Sequence, residues 1–126
     1  MEIKFYRCKH CGNIIAFVKS SGAPVMCCGE KMDEIIPNTS DGAGEKHLPV
    51  VTQNGNKVTV TVGSAAHPMG EDHYIGWVCL QTSSGNQRKL LKLNGNPEAC
   101  FMVCDGDKVE AAYAYCNKHG LWKTAL

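Results

Sequence analysis

Apolar and polar residues alternate most cleanly where Val58, Val60 and Val62 interleave with Thr59 and Thr61. This is the period of a half-buried strand. Asn54-Gly55 just before it is a hairpin signal. Tyr74 to Thr82 predicts a second strand, apolar enough to be buried on both faces, and Ser83-Ser84-Gly85-Asn86 a turn. Gln87 to Leu93, Glu98 to Cys104 and Lys108 to Tyr115 follow as strands, separated by turns at Asn94-Gly95-Asn96-Pro97 and Asp105-Gly106-Asp107. Short strands with regular turn punctuation predict an all-β sandwich or barrel. No window carries a helical period, and there is no internal repeat.

Upstream the text changes. Residues 1–37 are too few to bury much core, so this segment needs a staple. Ile3, Phe5, Ile14, Ile15, Phe17 and Val18 are expected to form short strands around it. The stretch Pro37-Asn38-Thr39-Ser40-Asp41-Gly42-Ala43-Gly44 is small, polar and glycine-rich. It reads as a junction, with 38–44 as linker and 45–126 as the larger domain.

A formal net charge of +1 argues against nucleic acid or an anionic membrane as the main partner. No apolar run approaches a membrane span. The first residues hold no apolar core of signal-peptide length, so the expected location is the cytoplasm. Eight cysteines in 126 residues, without a secretory signal, point to metal ligation or redox chemistry rather than disulfides.

Cys8-Lys9-His10-Cys11 is a C-x-x-C pair, and Cys27-Cys28 lies sixteen positions beyond Cys11. Either zinc or iron accepts four thiolates in a tetrahedron. The adjacent pair favours iron, because neighbouring cysteines have less freedom and should distort the tetrahedron. Gly12 and Gly29 directly follow the cysteine pairs, as expected where backbone folds tightly round an ion. His10, between two ligands, is expected to face solvent. The arrangement resembles the desulforedoxin module, which holds a rubredoxin-like iron, and implies a one-electron centre.

Downstream, His47, His67, His73, Cys116 and His119 are the candidate ligands of a second ion. Four imidazoles and one thiolate are too many donors for a closed structural zinc site. Imidazole with one soft thiolate suits a redox metal, iron above all, and five donors leave one octahedral position for a small molecule. Cys116 and His119 share a loop after a strand, and His67 precedes Pro68, which biases it towards extended backbone.

Glu45-Lys46-His47-Leu48-Pro49-Val50, Gly63-Ser64-Ala65-Ala66-His67-Pro68-Met69, His73-Tyr74-Ile75 and Cys116-Asn117-Lys118-His119-Gly120-Leu121-Trp122 closely resemble the superoxide reductase family. With the N-terminal module, nearly the whole chain resembles its two-iron form, desulfoferrodoxin. The resemblance implies a small desulforedoxin-like domain followed by a seven-stranded immunoglobulin-like β-sandwich. It implies two non-haem irons per chain, with His47, His67, His73 and His119 equatorial and Cys116 axial on the second. It implies an oxidoreductase that converts superoxide to hydrogen peroxide by one electron, with a rubredoxin-like donor and a homodimeric state. In that setting Lys46 is the candidate for steering the anion, and Glu45 a possible sixth ligand of the ferric centre. Cys79, Cys100 and Cys104 are expected to point into the sandwich as small apolar residues. Met69, Trp77 and Trp122 are expected to pack. Two other readings stand beside this one: an electron carrier without substrate, and a colourless zinc-stapled module.

Overall fold

Short apolar triplets build the first of two units. In the computed structural model, which describes residues 2–126, the chain divides between Ile36 and Pro37. Strands β1 (Phe5–Arg7), β2 (Ile14–Ala16), β3 (Met26–Cys27), β4 (Glu30–Lys31) and β5 (Asp33–Ile35) make up the first unit. Antiparallel β2-β1-β5 is one sheet, and β3-β4 is a separate hairpin. Among the described residues of this unit, Phe5, Cys8 and Met32 are the buried apolar ones. Ile3, Phe17 and Val18 lie outside the strands, contrary to expectation, and Val18 is fully exposed. Phe17 instead meets the Tyr6 ring edge-on, 5.2 Å between centroids. So thin a core leaves the four-cysteine cluster as the main cohesive element, since the binding energy of a structural metal is folding energy.

The second unit opens with one helical turn, α1 (Gly44–His47). Four residues are too few to show a helical period, which is why the sequence pattern misses it. Seven strands follow: β6 (Pro49–Asn54), β7 (Lys57–Val62), β8 (Ile75–Thr82), β9 (Gly85–Leu90), β10 (Glu98–Met102), β11 (Val109–Cys116) and β12 (Gly120–Ala125). They form two antiparallel sheets, β10-β7-β6 and β12-β11-β8-β9. Val58, Val60, Val62 and Phe101 meet Ile75, Val78, Leu80, Ala112, Ala114 and Cys116 in one core. The valine alternation is realised as read: these three are fully buried, while Thr59 and Thr61 are half-buried. β12 carries no such signal, because neighbouring Leu121 and Trp122 are both buried.

The remaining cysteines depart from expectation. Only Cys79 is buried, and it lies outside the core cluster. On β10 the inward residues are Ala99 and Phe101, so alternation turns Cys100 outward. Cys104 lies past the strand end and is exposed. All eight cysteines are free thiols. No helix is long and apolar enough to cross a membrane, among the described residues.

Residues 38–44 belong to the second unit, and hydrogen bonds tie Asn38 into it. The Asn38 amide donates to the Leu121 carbonyl at 3.0 Å, and the Lys123 amide donates to Asn38 Oδ1 at 2.8 Å.

Phe101 is 1 % exposed at the centre of this core. Phe101→Ala is expected to cost about 3–5 kcal/mol, read from the denaturant midpoint.

Candidate metal centres

In the first unit the sulfurs of Cys8, Cys11, Cys27 and Cys28 lie within 4.8 Å of one another. Cys11 and Cys27 sulfurs are 3.6 Å apart. Two thiolates about 2.3 Å from a shared tetrahedral ion would be about 3.8 Å apart. Backbone conformation makes this possible. Gly12 and Gly29 hold φ of +82° and +79°, and Cys28 itself holds +52°. A left-handed non-glycine residue costs about 1–2 kcal/mol, and here it lets two consecutive residues turn their sulfurs to one point. The Cys11 amide N–H, 3.5 Å from Cys8 Sγ, is the main reason this thiol is drawn down to about 6. Hydrogen bonding with Cys11, then with Cys8 and Cys27, pushes Cys28 up to about 12. Four thiolates together therefore call for a cation, and its binding releases protons. His10 is exposed and takes no part in the cluster; its Nε2 faces Glu30 Oε1 at 3.0 Å, beside the Lys9–Glu30 pair at 2.8 Å.

The second site draws on four segments of the sandwich unit. His47 ends α1, His67 and His73 lie between β7 and β8, Cys116 ends β11, and His119 lies in the β11–β12 turn. Centroid separations run His47–His67 4.7 Å, His67–His73 4.6 Å, His73–His119 5.0 Å and His119–His47 4.7 Å. Each of these pairs is edge-on, whereas His47 and His73 stand 6.2 Å apart. The rings thus form a square, with His47 opposite His73 and His67 opposite His119. Cys116 Sγ is 3.2 Å from His73 Nε2 and 3.8 Å from His119 Nδ1.

Hydrogen bonds choose which nitrogen faces inward. His47 Nδ1–H donates to the Ala43 carbonyl at 2.8 Å, and His67 Nδ1–H to the Pro68 carbonyl at 2.7 Å. A carbonyl only accepts, so both Nε2 atoms keep their lone pairs. His47 Nε2 and His119 Nδ1 are 3.0 Å apart. Two nitrogens about 2.1 Å from one ion and at right angles to each other would be about 3.0 Å apart. His67 Nε2 is buried and has no hydrogen-bond partner. A lone pair stranded in the interior is costly unless something binds it. These observations fit a metal ion held by all five donors.

Burial is the main cause of lowered imidazole basicity here. It pushes His67 down to about 4, and it lowers His47 and His73 as well. The charges of His119 and Lys46 add to this at His47, and those of His119, Lys118, His47 and Lys46 at His73. Neutral imidazole is the metal-binding form. The His119 backbone N–H points at Cys116 Sγ from 3.4 Å.

Two details place the donors. Between the pairs Tyr115↔Trp77 and Cys116↔Ile75, Gly76 is the extra residue of a bulge at the strand end that presents Cys116. Gly63 has φ +84°, and a Cβ there would sit 2.3 Å from the Ala65 carbonyl oxygen and 2.8 Å from that of Lys46. Only glycine lets this loop close on α1, where the Ala65 amide and Ser64 hydroxyl both donate to the Glu45 carbonyl. Glu45 and Lys46 are exposed beside buried His47. Lys118, between Cys116 and His119, is a further cation whose charge bears on His73.

A closed four-thiolate site and a separate five-donor site of imidazole and thiolate define a two-centre non-haem iron oxidoreductase. The desulfoferrodoxin family profile matches residues 39–125, and that of the desulfoferrodoxin N-terminal domain matches residues 1–35. A desulfoferrodoxin from Nitratidesulfovibrio vulgaris is 46% identical over 122 residues, covering 97% of this chain and 95% of that one. The crystal structure of the superoxide reductase from Treponema pallidum aligns with TM-score 0.83 and 40% identity over 98% of this chain and 99% of that one. A superoxide reductase (1Fe-SOR) from Giardia intestinalis aligns with TM-score 0.56 and 38% identity over 65% of this chain and 97% of that one. The chain belongs to the desulfoferrodoxin family.

A histidine whose basicity is lowered by folding binds fewer protons folded than unfolded, so stability rises with pH between the two values. For His67 the folded value is about 4 against an ordinary 6.5. In the metal-free protein the His67 contribution to stability is therefore expected to be fully present above that ordinary value and to be lost progressively as pH falls towards the folded one, read from the denaturation midpoint. A midpoint that rises on acidification through this range would contradict the assignment.

Proposed function

We propose that the protein reduces superoxide to hydrogen peroxide at the His47, His67, His73, His119 and Cys116 centre. The observation that carries this reading is the buried, unpartnered His67 Nε2 within a square of imidazoles backed by one thiolate. These five residues would hold an iron, which would supply one-electron redox chemistry and be re-reduced by an external donor. In balance, superoxide takes up one electron and two protons and leaves as hydrogen peroxide.

The chain's own residues prepare this step. Carbonyls of Ala43 and Pro68 hold two imidazoles in the tautomer that turns Nε2 inward. Burial lowers the basicity of His47, His67 and His73, which favours the neutral, metal-binding form of these rings. Lys46 is the steering residue: an exposed cation next to a ligand raises the local concentration of a small anion. Glu45, pinned through its own carbonyl to the 64–65 loop, is the carboxylate that would hold the sixth position after turnover. A rubredoxin-like protein is the donor class we assign. Exposure of Cys11 and Cys28 supports an approach to the first centre from the sulfur side. A homodimer is the assembly carried by the family resemblance. A cytoplasmic location is supported by the cysteine usage, in which five of eight cysteines serve the metal sites and none forms a disulfide.

Rapid mixing of the reduced, iron-loaded protein with pulsed superoxide tests the reading. The wild type is expected to oxidise at the imidazole–thiolate centre with one peroxide formed per electron. Cys116→Ser should lose the thiolate absorption of that centre and this reactivity while retaining the colour of the four-cysteine centre. A wild-type centre that stays reduced would overturn the function.

For Lys46→Ala, capture of superoxide is expected to slow about three- to tenfold and to depend less on ionic strength. An unchanged salt dependence would remove Lys46 from steering.

A further inference from the structure

Residues 40–43 and Trp122 surround one edge of the imidazole square and make no contribution to its donor set. Trp122 is 5 % exposed and stacks on the His47 ring, 4.9 Å between centroids and 24° between planes. Its indole N–H donates to the His119 carbonyl at 3.1 Å. The Ser40 hydroxyl donates to the same carbonyl. Gly42 lies over both rings. A Cβ built on it would come within 3.1 Å of His47 Cε1 and 3.3 Å of His119 Cγ, at a backbone φ of +155° that side-chain-bearing residues rarely adopt. Ala43 accepts the His47 Nδ1 proton. All five contacts fall on His47 and His119, neighbours on the square whose inward nitrogens are 3.0 Å apart.

We infer that Trp122, with Ser40 and Gly42, is a positioning brace that sets the His47–His119 edge of the metal site. Composition reads 38–44 as a tether and Trp122 as packing. Their contacts make them the outer layer of the centre. The physical case is one of constraint. His47 ends a single helical turn, and His119 sits in a short hairpin turn, so neither backbone is stiff on its own. A flat indole against one ring and two donors on one carbonyl restrict the ring tilt of His47 and the turn that carries His119. Outer partners of metal ligands contribute about 10–100-fold to metal affinity. The inference rests on the centre assigned above but not on superoxide as its substrate.

The test uses the full chain with iron in both centres. Release of iron from the imidazole–thiolate site to a chelator is followed by its thiolate absorption, and the absorption of the four-cysteine centre serves as an internal reference. Trp122→Phe keeps a ring against His47 and loses the N–H. It should release iron about threefold to tenfold faster and shift the thiolate band. Trp122→Leu loses both contacts and should release it faster still. Gly42→Ala should shift the band by pressing on both rings. Where Trp122→Leu does not fold, Trp122→Phe and Gly42→Ala carry the decision. Wild-type release rates and an unmoved band in both would overturn the brace, including where the unfolding temperature falls. Superoxide reactivity read separately on the wild type keeps failure of the proposed function distinct from failure of the brace.

Discussion

Lone pairs that water cannot reach govern the second unit. Folding takes four imidazoles and a thiol to one end of a sandwich, removes most of their solvent, and leaves at least His67 Nε2 with nothing to bond. Apolar packing alone does not compensate such a group. Protonation would only bring positive charges together, and the neighbouring charges already act against it at His67. A shared cation resolves the conflict at once for every donor. The rest of the unit follows from supporting that convergence: a bulge at the end of β11, a glycine under α1 and carbonyls that select the tautomers.

The first unit meets the same constraint with less protein. Its core is a few side chains, and its cluster is held by turns whose left-handed residues include Cys28. One thiol is easily ionised and another resists it, because the same sulfurs that share hydrogen bonds would repel as thiolates. Four thiolates complete a tetrahedron, whereas the five-donor site leaves a position of an octahedron available. The two sites thus differ in donor number and donor type.

Residues 38–44 lie within the second unit and are part of its chemistry. Their glycines and serine look like flexible tether because small polar residues are the usual composition of linkers. Gly42 is small because two rings lie against it, and Ser40 is polar because a turn carbonyl needs a second donor.

By itself, the sequence determined the donor types and their spacing, the alternating strands such as Lys57–Val62, and the thin first segment that needs a metal. These are local or compositional properties, readable because alternation and ligand chemistry are expressed residue by residue. Only the tertiary structure decided the rest. It placed His47 opposite His73, chose Nδ1 for His119 and Nε2 for the others resolved by hydrogen bonds, and turned Cys100 and Cys104 away from the core. It also made Trp122 a ligand support and gave His47 a helical turn four residues long. Such features depend on contacts between residues up to 75 or more positions apart, as in His47 with Trp122, and no local pattern records which distant surface a side chain will meet.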